Sequence, residues 1–128
     1  MKIKEVIFAY ASSYDEVYQI SLLINNLTEE TSLSAISIGK ESISESSLQS
    51  LTKLFRERLA SNIMIVYVKS IMDIQKLCTR YSGHSLYVKR DNIKNESFDF
   101  SFTISDNQEQ NEEQMKKIMN KLIEKNQS

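Results

Sequence analysis

A short apolar run followed by a serine-led helix start recurs three times in the first 83 residues, and this limits the available architectures more than any other feature. The first run, Ile3 to Ala11, carries Val6, Ile7, Phe8, Ala9 and Tyr10 with little polar alternation, the pattern of a strand covered on both faces. Ser13-Tyr14-Asp15-Glu16 then has the form of a capping box, the serine oxygen placed to accept a helix N–H and Glu16 to reach back. Val17, Ile20, Ile24 and Leu27 follow at helical spacing. The second unit is Leu33 to Ile38, closed by Gly39, with Ser42-Ile43-Ser44-Glu45 ahead of Leu48, Leu51, Phe55 and Leu59. The third is Ile63 to Val68, after which Ser70-Ile71-Met72-Asp73 opens a helix with Ile71, Ile74, Cys78 and Tyr81 inward. Gly83 stands where a left-handed C-cap would end that helix.

A helix between two strands returns the chain to the same end of the sheet, so these units predict parallel pairing. After Gly83 the pattern changes. Ser85 to Val88 reads as a fourth strand and Lys89 to Glu96 as a polar connection, and Phe98, Phe100, Phe102 and Ile104 then alternate with Asp99, Ser101 and Thr103. That alternation marks a strand with one dry face, and so short a connection favours an antiparallel hairpin at a sheet edge. Asp106 to Gln114 is almost wholly polar, and Met115, Ile118, Met119, Leu122 and Ile123 form a helical stripe. A terminal helix over 108–126 is expected, its opening turns projecting because they have little to bury. The reading is one α/β domain over residues 1–128: a three-layer, Rossmann-like, mainly parallel βαβαβαββα sheet with an antiparallel edge hairpin.

Composition narrows the function classes. Lysine and arginine (16) nearly balance aspartate and glutamate (17), so no global field draws the chain to nucleic acid or anionic lipid. No stretch approaches the roughly 18–20 apolar residues of a membrane span. Cys78 is the sole cysteine, which removes an intramolecular disulfide and CxxC chemistry and makes the cytoplasm the expected compartment. With two glycines and no proline, a glycine-rich phosphate loop is not available.

Chemistry-bearing residues are sparse. His84, the only histidine, falls at a predicted strand start, away from the loops at the carboxyl ends of the strands, so a Ser-His-acid triad with Ser12 or Ser13 is not expected. Cys78 sits on a buried helical stripe and reads as a small hydrophobe. No metal-ligand spacing and no cofactor motif is present, and no catalytic residue is assigned.

In parallel sheets ligands bind at the carboxyl ends of the strands. There Ser12, Ser13, Lys40, Lys69 and Ser70 form a candidate anion-binding set, with plain helix capping as the simpler account of the serines. Lys76, Arg80, Lys89, Arg90 and Lys94, near Tyr81 and Tyr87, form the best cluster for nucleic acid.

The opening segment from Glu5 to Glu16, Glu5-Val6-Ile7-Phe8-Ala9-Tyr10-Ala11-Ser12-Ser13-Tyr14-Asp15-Glu16, resembles the first strand and loop of TIR-type domains. The resemblance covers that segment alone and implies a parallel β-α fold. Where NAD-cleaving members carry a glutamate in a later helix, helix three here offers Asp73, so NAD hydrolysis does not follow from it.

The leading expectation is a non-catalytic binding or accessory protein acting on a protein partner or a second copy of itself. Its contacts would be the edge strand 98–104, through Phe98, Phe100 and Phe102, and the terminal helix, through Met115 and Met119, core packing being the plainer role for the methionines. The alternatives are a nucleotide- or phosphate-binding signalling domain using the strand-end loops, and a nucleic-acid-binding protein.

Overall fold

Val6, Ile7, Phe8 and Ala9 are each 2% exposed or less, and the strand they form lies in the middle of the sheet. In the computed structural model, which describes residues 3–58, 60–90 and 97–127, the strands are β1 (Lys4–Tyr10), β2 (Ser34–Ile38), β3 (Asn62–Val68), β4 (His84–Lys89) and β5 (Phe100–Thr103). They form one sheet in the order β2-β3-β1-β4-β5. All four pairings are parallel. The helices are α1 (Tyr14–Leu27), α2 (Glu45–Glu57), α3 (Ile74–Tyr81) and α4 (Gln108–Gln127), with a 3-10 turn at Ile71–Asp73 leading into α3.

Alternation along the strands divides the core into two clusters. Ile7, Ala9, Ile63, Ile65, Leu86 and Val88 face α1 and α4. Val6, Phe8, Met64 and Val66 face α2 and α3. The result is the three-layer α/β architecture expected from the repeated units.

The antiparallel hairpin is not formed, because β5 runs parallel to β4, with Leu86 beside Phe100 and Lys89 beside Thr103. A reciprocal pair of hydrogen bonds pins the two strand starts together: the Ser85 N–H donates to Asp99 Oδ2 at 2.9 Å, and the Asp99 N–H to Ser85 Oγ at 2.7 Å. Residues 90–99 can span up to roughly 33 Å when extended, enough to carry the chain back along so short a strand. Phe98 therefore precedes β5 and breaks the expected alternation. It packs edge-on against Tyr87 in the α2/α3 cluster, whereas Phe100 and Phe102 face α1 and α4.

Helix starts also differ in detail from the serine pattern. Ser13 is the N-cap of α1 without a side-chain capping bond; Glu16 instead accepts from the Ser12 N–H at 2.9 Å. The cap of α2 is Ser44 rather than Ser42, its side chain accepting from the Ser47 N–H. The buried stripe of α2 runs through Leu48, Thr52 and Phe55, which leaves Leu51 at its margin, 39% exposed. Ile71, in the 3-10 turn, is likewise 41% exposed instead of inward. Leu59 lies outside the described residues.

At the end of α3 the left-handed residue is Ser82 (φ 52°), not Gly83. Gly83 answers a different demand, close approach: a Cβ there would lie 2.7 Å from the Phe8 ring, which is fully buried. Gly39 is the glycine that needs a positive φ (105°), and a Cβ on it would meet the Tyr67 backbone oxygen at 2.9 Å.

Candidate functional site

The strand order decides where a cleft can open. From β1 the chain moves to one side of the sheet through α1, and from β4 it moves to the other side toward β5. α1 packs on one face of the sheet, and Phe98, just ahead of β5, packs in the cluster on the other. Adjacent strands whose connections part in this way leave a crevice at their carboxyl ends, the usual ligand position in open α/β sheets.

A crevice of about 420 Å³ is present there, lined by Tyr10, Ser12, Tyr87, Val88, Lys89 and Arg90. Ser12 and Arg90 also line a larger groove of about 630 Å³ between α1 and α4, floored by Ile20, Leu23, Phe102 and Ile104. Ser12 and Arg90 thus stand at the border of the two adjoining spaces.

Lys89 is the most unusual group in the site. It is 6% exposed, and its ammonium has no hydrogen-bond partner among the described residues. Its Nζ lies 5.7 Å from the centre of the Tyr87 ring, which is itself stacked on Tyr10 at 5.8 Å. A ring face attracts a cation but does not replace the hydrogen bonds an ammonium makes in water. Arg90, next in the chain, points to the other face, where its Nε is 3.3 Å from Glu16 Oε2 and its side chain is 70% exposed. Glu16 is buried and is already bonded to the Ser12 N–H, so the start of α1 holds its own carboxylate. An added anion is better received at Lys89 than at that helix terminus.

The expected anion set is split. Ser12 and Ser13 line the α1/α4 groove, whereas Lys69 and Ser70 line a separate space of about 420 Å³ between α2 and α3, with Gly39, Glu41 and Lys76. Lys40 is exposed and does not line that space. The division follows from strand order: α1 crosses on one face, α2 and α3 on the other.

The basic cluster is likewise dispersed. Arg80 is paired with Glu45, Lys76 borders the α2/α3 space, and Lys89 is buried; Lys94 lies outside the described residues.

Residues expected to meet a partner are used inside the domain. Phe100, Phe102, Met115 and Met119 are at most 7% exposed and belong to one core cluster, and Phe98 is half-buried. The open side of β5 is occupied by α4 carboxamides. Gln114 accepts from the Thr103 N–H at 2.9 Å and donates to its carbonyl at 2.8 Å, and Asn111 does the same at Ser105 at 3.0 and 2.8 Å. Asn25 of α1 treats the other edge alike, bonding both backbone groups of Ala35. Side chains thus stand where a further strand would pair, and the opening turns of α4 are bound to β5 rather than projecting.

His84 Nε2 lies 2.7 Å from Glu5 Oε2, with no serine or cysteine nucleophile bonded to it among the described residues. Cys78 is half-buried, and burial first, with the Asp99 charge second, pushes its thiol up to about 11. The thiol form is therefore retained at neutral pH. Because the folded value lies above the unfolded 9.0, this contribution to stability is complete below pH 9 and is lost as pH rises through about 11. Iodoacetamide at pH 8 should accordingly alkylate Cys78 more slowly in the native protein than in urea; equal rates would show a thiol that the fold neither shields nor perturbs, and a faster native rate an activated thiolate.

Among the described residues no cluster of three or more His, Cys, Asp or Glu is arranged to hold a metal ion. No described helix is long and apolar enough to cross a membrane.

Comparison with known proteins finds no matching family model, no matching curated protein and no matching solved structure. The likeness to TIR-type domains thus stays confined to the opening segment. Asp73, the residue it brought into view, lies at the end of the 3-10 turn beside the α2/α3 space.

Lys89 was visible in the sequence only as one member of a charged patch. Its burial follows from standing on β4 beside the central strand, which needs the strand order to be known. The available signal was its place two residues after Tyr87, and so on the same strand face.

Proposed function

We propose that this chain is a small-molecule-binding domain whose ligand carries a phosphate or carboxylate, received by Lys89 in the crevice between the carboxyl ends of β1 and β4. One observation carries the reading: a buried ammonium without an acceptor stands at the position where the strand order opens a cleft. A buried charge is costly unless paired, and a ligand anion would supply the missing partner. Arg90, paired with Glu16 on the other face, leaves Lys89 as the cation of the crevice that has no acceptor among the described residues. This reading ranks above protein contact through the β5 edge and α4, because those backbone groups and apolar side chains already have partners within the domain.

Thermal unfolding at constant ionic strength, in phosphate or citrate against chloride, tests the proposal. Saturation at 100 times Kd should stabilise the fold by about 2.7 kcal/mol. Lys89→Met should abolish the response. Stabilisation by neither anion, or an undiminished response in the variant, would refute it.

A further inference from the structure

We infer that the ligand is a nucleoside phosphate, with its phosphate against Lys89 and its nucleoside in the α1/α4 groove; the inference rests on the anion reading above. A bare phosphate or small carboxylate would take up only part of the crevice and leave the adjoining 630 Å³ groove unexplained. Small-ligand pockets run from roughly 300 to 1,000 Å³, and crevice and groove each fall within that range, which suits a ligand with an anionic head and a larger body.

The groove states the chemistry of that body. Its floor is apolar, formed by Ile20, Leu23, Phe102 and Ile104, which suits a flat ring system. Its walls carry carboxamides: Gln19 and Asn26, seven positions apart on α1, and Gln108 on α4. A carboxamide both donates and accepts, as the hydrogen-bonding edge of a nucleobase requires of its partner. All three are exposed rather than built into the core. Asp15, exposed at the end of the groove nearer Ser12, supplies an acceptor for sugar hydroxyls. An acyl-chain anion would leave these polar walls unused, and an inorganic anion would leave the floor unused.

Calorimetric titration of the full chain with the four common nucleoside 5′-monophosphates, ribose 5-phosphate, inorganic phosphate and adenosine tests the assignment. At least one mononucleotide should bind tenfold or more tightly than ribose 5-phosphate and phosphate. The combined substitutions Gln19→Ala, Asn26→Ala and Gln108→Ala, all at exposed positions, should reduce that mononucleotide to the level of ribose 5-phosphate and leave phosphate binding unchanged. If ribose 5-phosphate or phosphate equals every mononucleotide while still depending on Lys89, the nucleoside assignment is overturned and the anion reading stands. If adenosine binds as tightly as its monophosphate and Lys89→Met changes neither, the anion reading falls, and this inference with it. Binding by none of the compounds overturns both.

Discussion

Phe102→Ala should destabilise the domain by about 3–5 kcal/mol, measured as the shift of a urea unfolding curve. The ring is 3% exposed and packs in the cluster that joins β5 to α1 and α4, with Met115 and Leu122 among its members. Truncation removes buried apolar surface and leaves a cavity which the clamped strand cannot close, because Thr103 and Ser105 are held by Gln114 and Asn111. For a domain of ordinary stability, about 5–15 kcal/mol, this is a large fraction of the total. A Phe102 kept for a protein partner would instead tolerate alanine with little change in the midpoint, and that result would restore the edge strand as a contact surface.

Much of the architecture was legible in the sequence because it rests on local signals. Val6–Ala9 reads as a strand covered on both faces and Ile63–Val68 as an apolar strand, and both lie inside the sheet. Val17, Ile20 and Ile24 read as one helical stripe and all three are buried.

What escaped was set by long-range partners. β5 starts beside the start of β4, where Ser85 and Asp99 bond to each other across residues that no local pattern connects. Of the two serines two positions apart, only Ser42 has a glutamate three residues on, yet Ser44 is the α2 cap, its side chain accepting from the Ser47 N–H. At the candidate site, Ser12 and Ser13 were identified as belonging to the carboxyl edge, yet their grouping with Lys40 and Lys69 assumed that all the strand-end loops share one cleft. The β2-β3-β1-β4-β5 order sends those loops to opposite faces and puts Lys89 and Arg90 beside Ser12 instead.

The second large effect has the opposite sign from the first. Lys89→Met keeps the length and most of the apolar stem of the side chain while removing the buried ammonium. Leaving a buried charged group without a hydrogen-bond partner costs more than the about 1–3 kcal/mol of a neutral polar group, whereas the desolvated contact with the Tyr87 ring offsets about 2 kcal/mol. The ligand-free variant should therefore be more stable than the parent chain, by about 1–2 kcal/mol, although it has lost the capacity to bind an anion. Such a gain is the pattern expected where a group is kept for binding at the expense of the fold.

The most direct measurement is the free energy of unfolding of Lys89→Met against the parent protein, by urea titration in chloride buffer with no phosphate or carboxylate present. The account predicts a higher value for the variant with an unchanged slope. A lower value would contradict it, because it would mean that the Lys89 ammonium supports the fold and does not wait for a ligand.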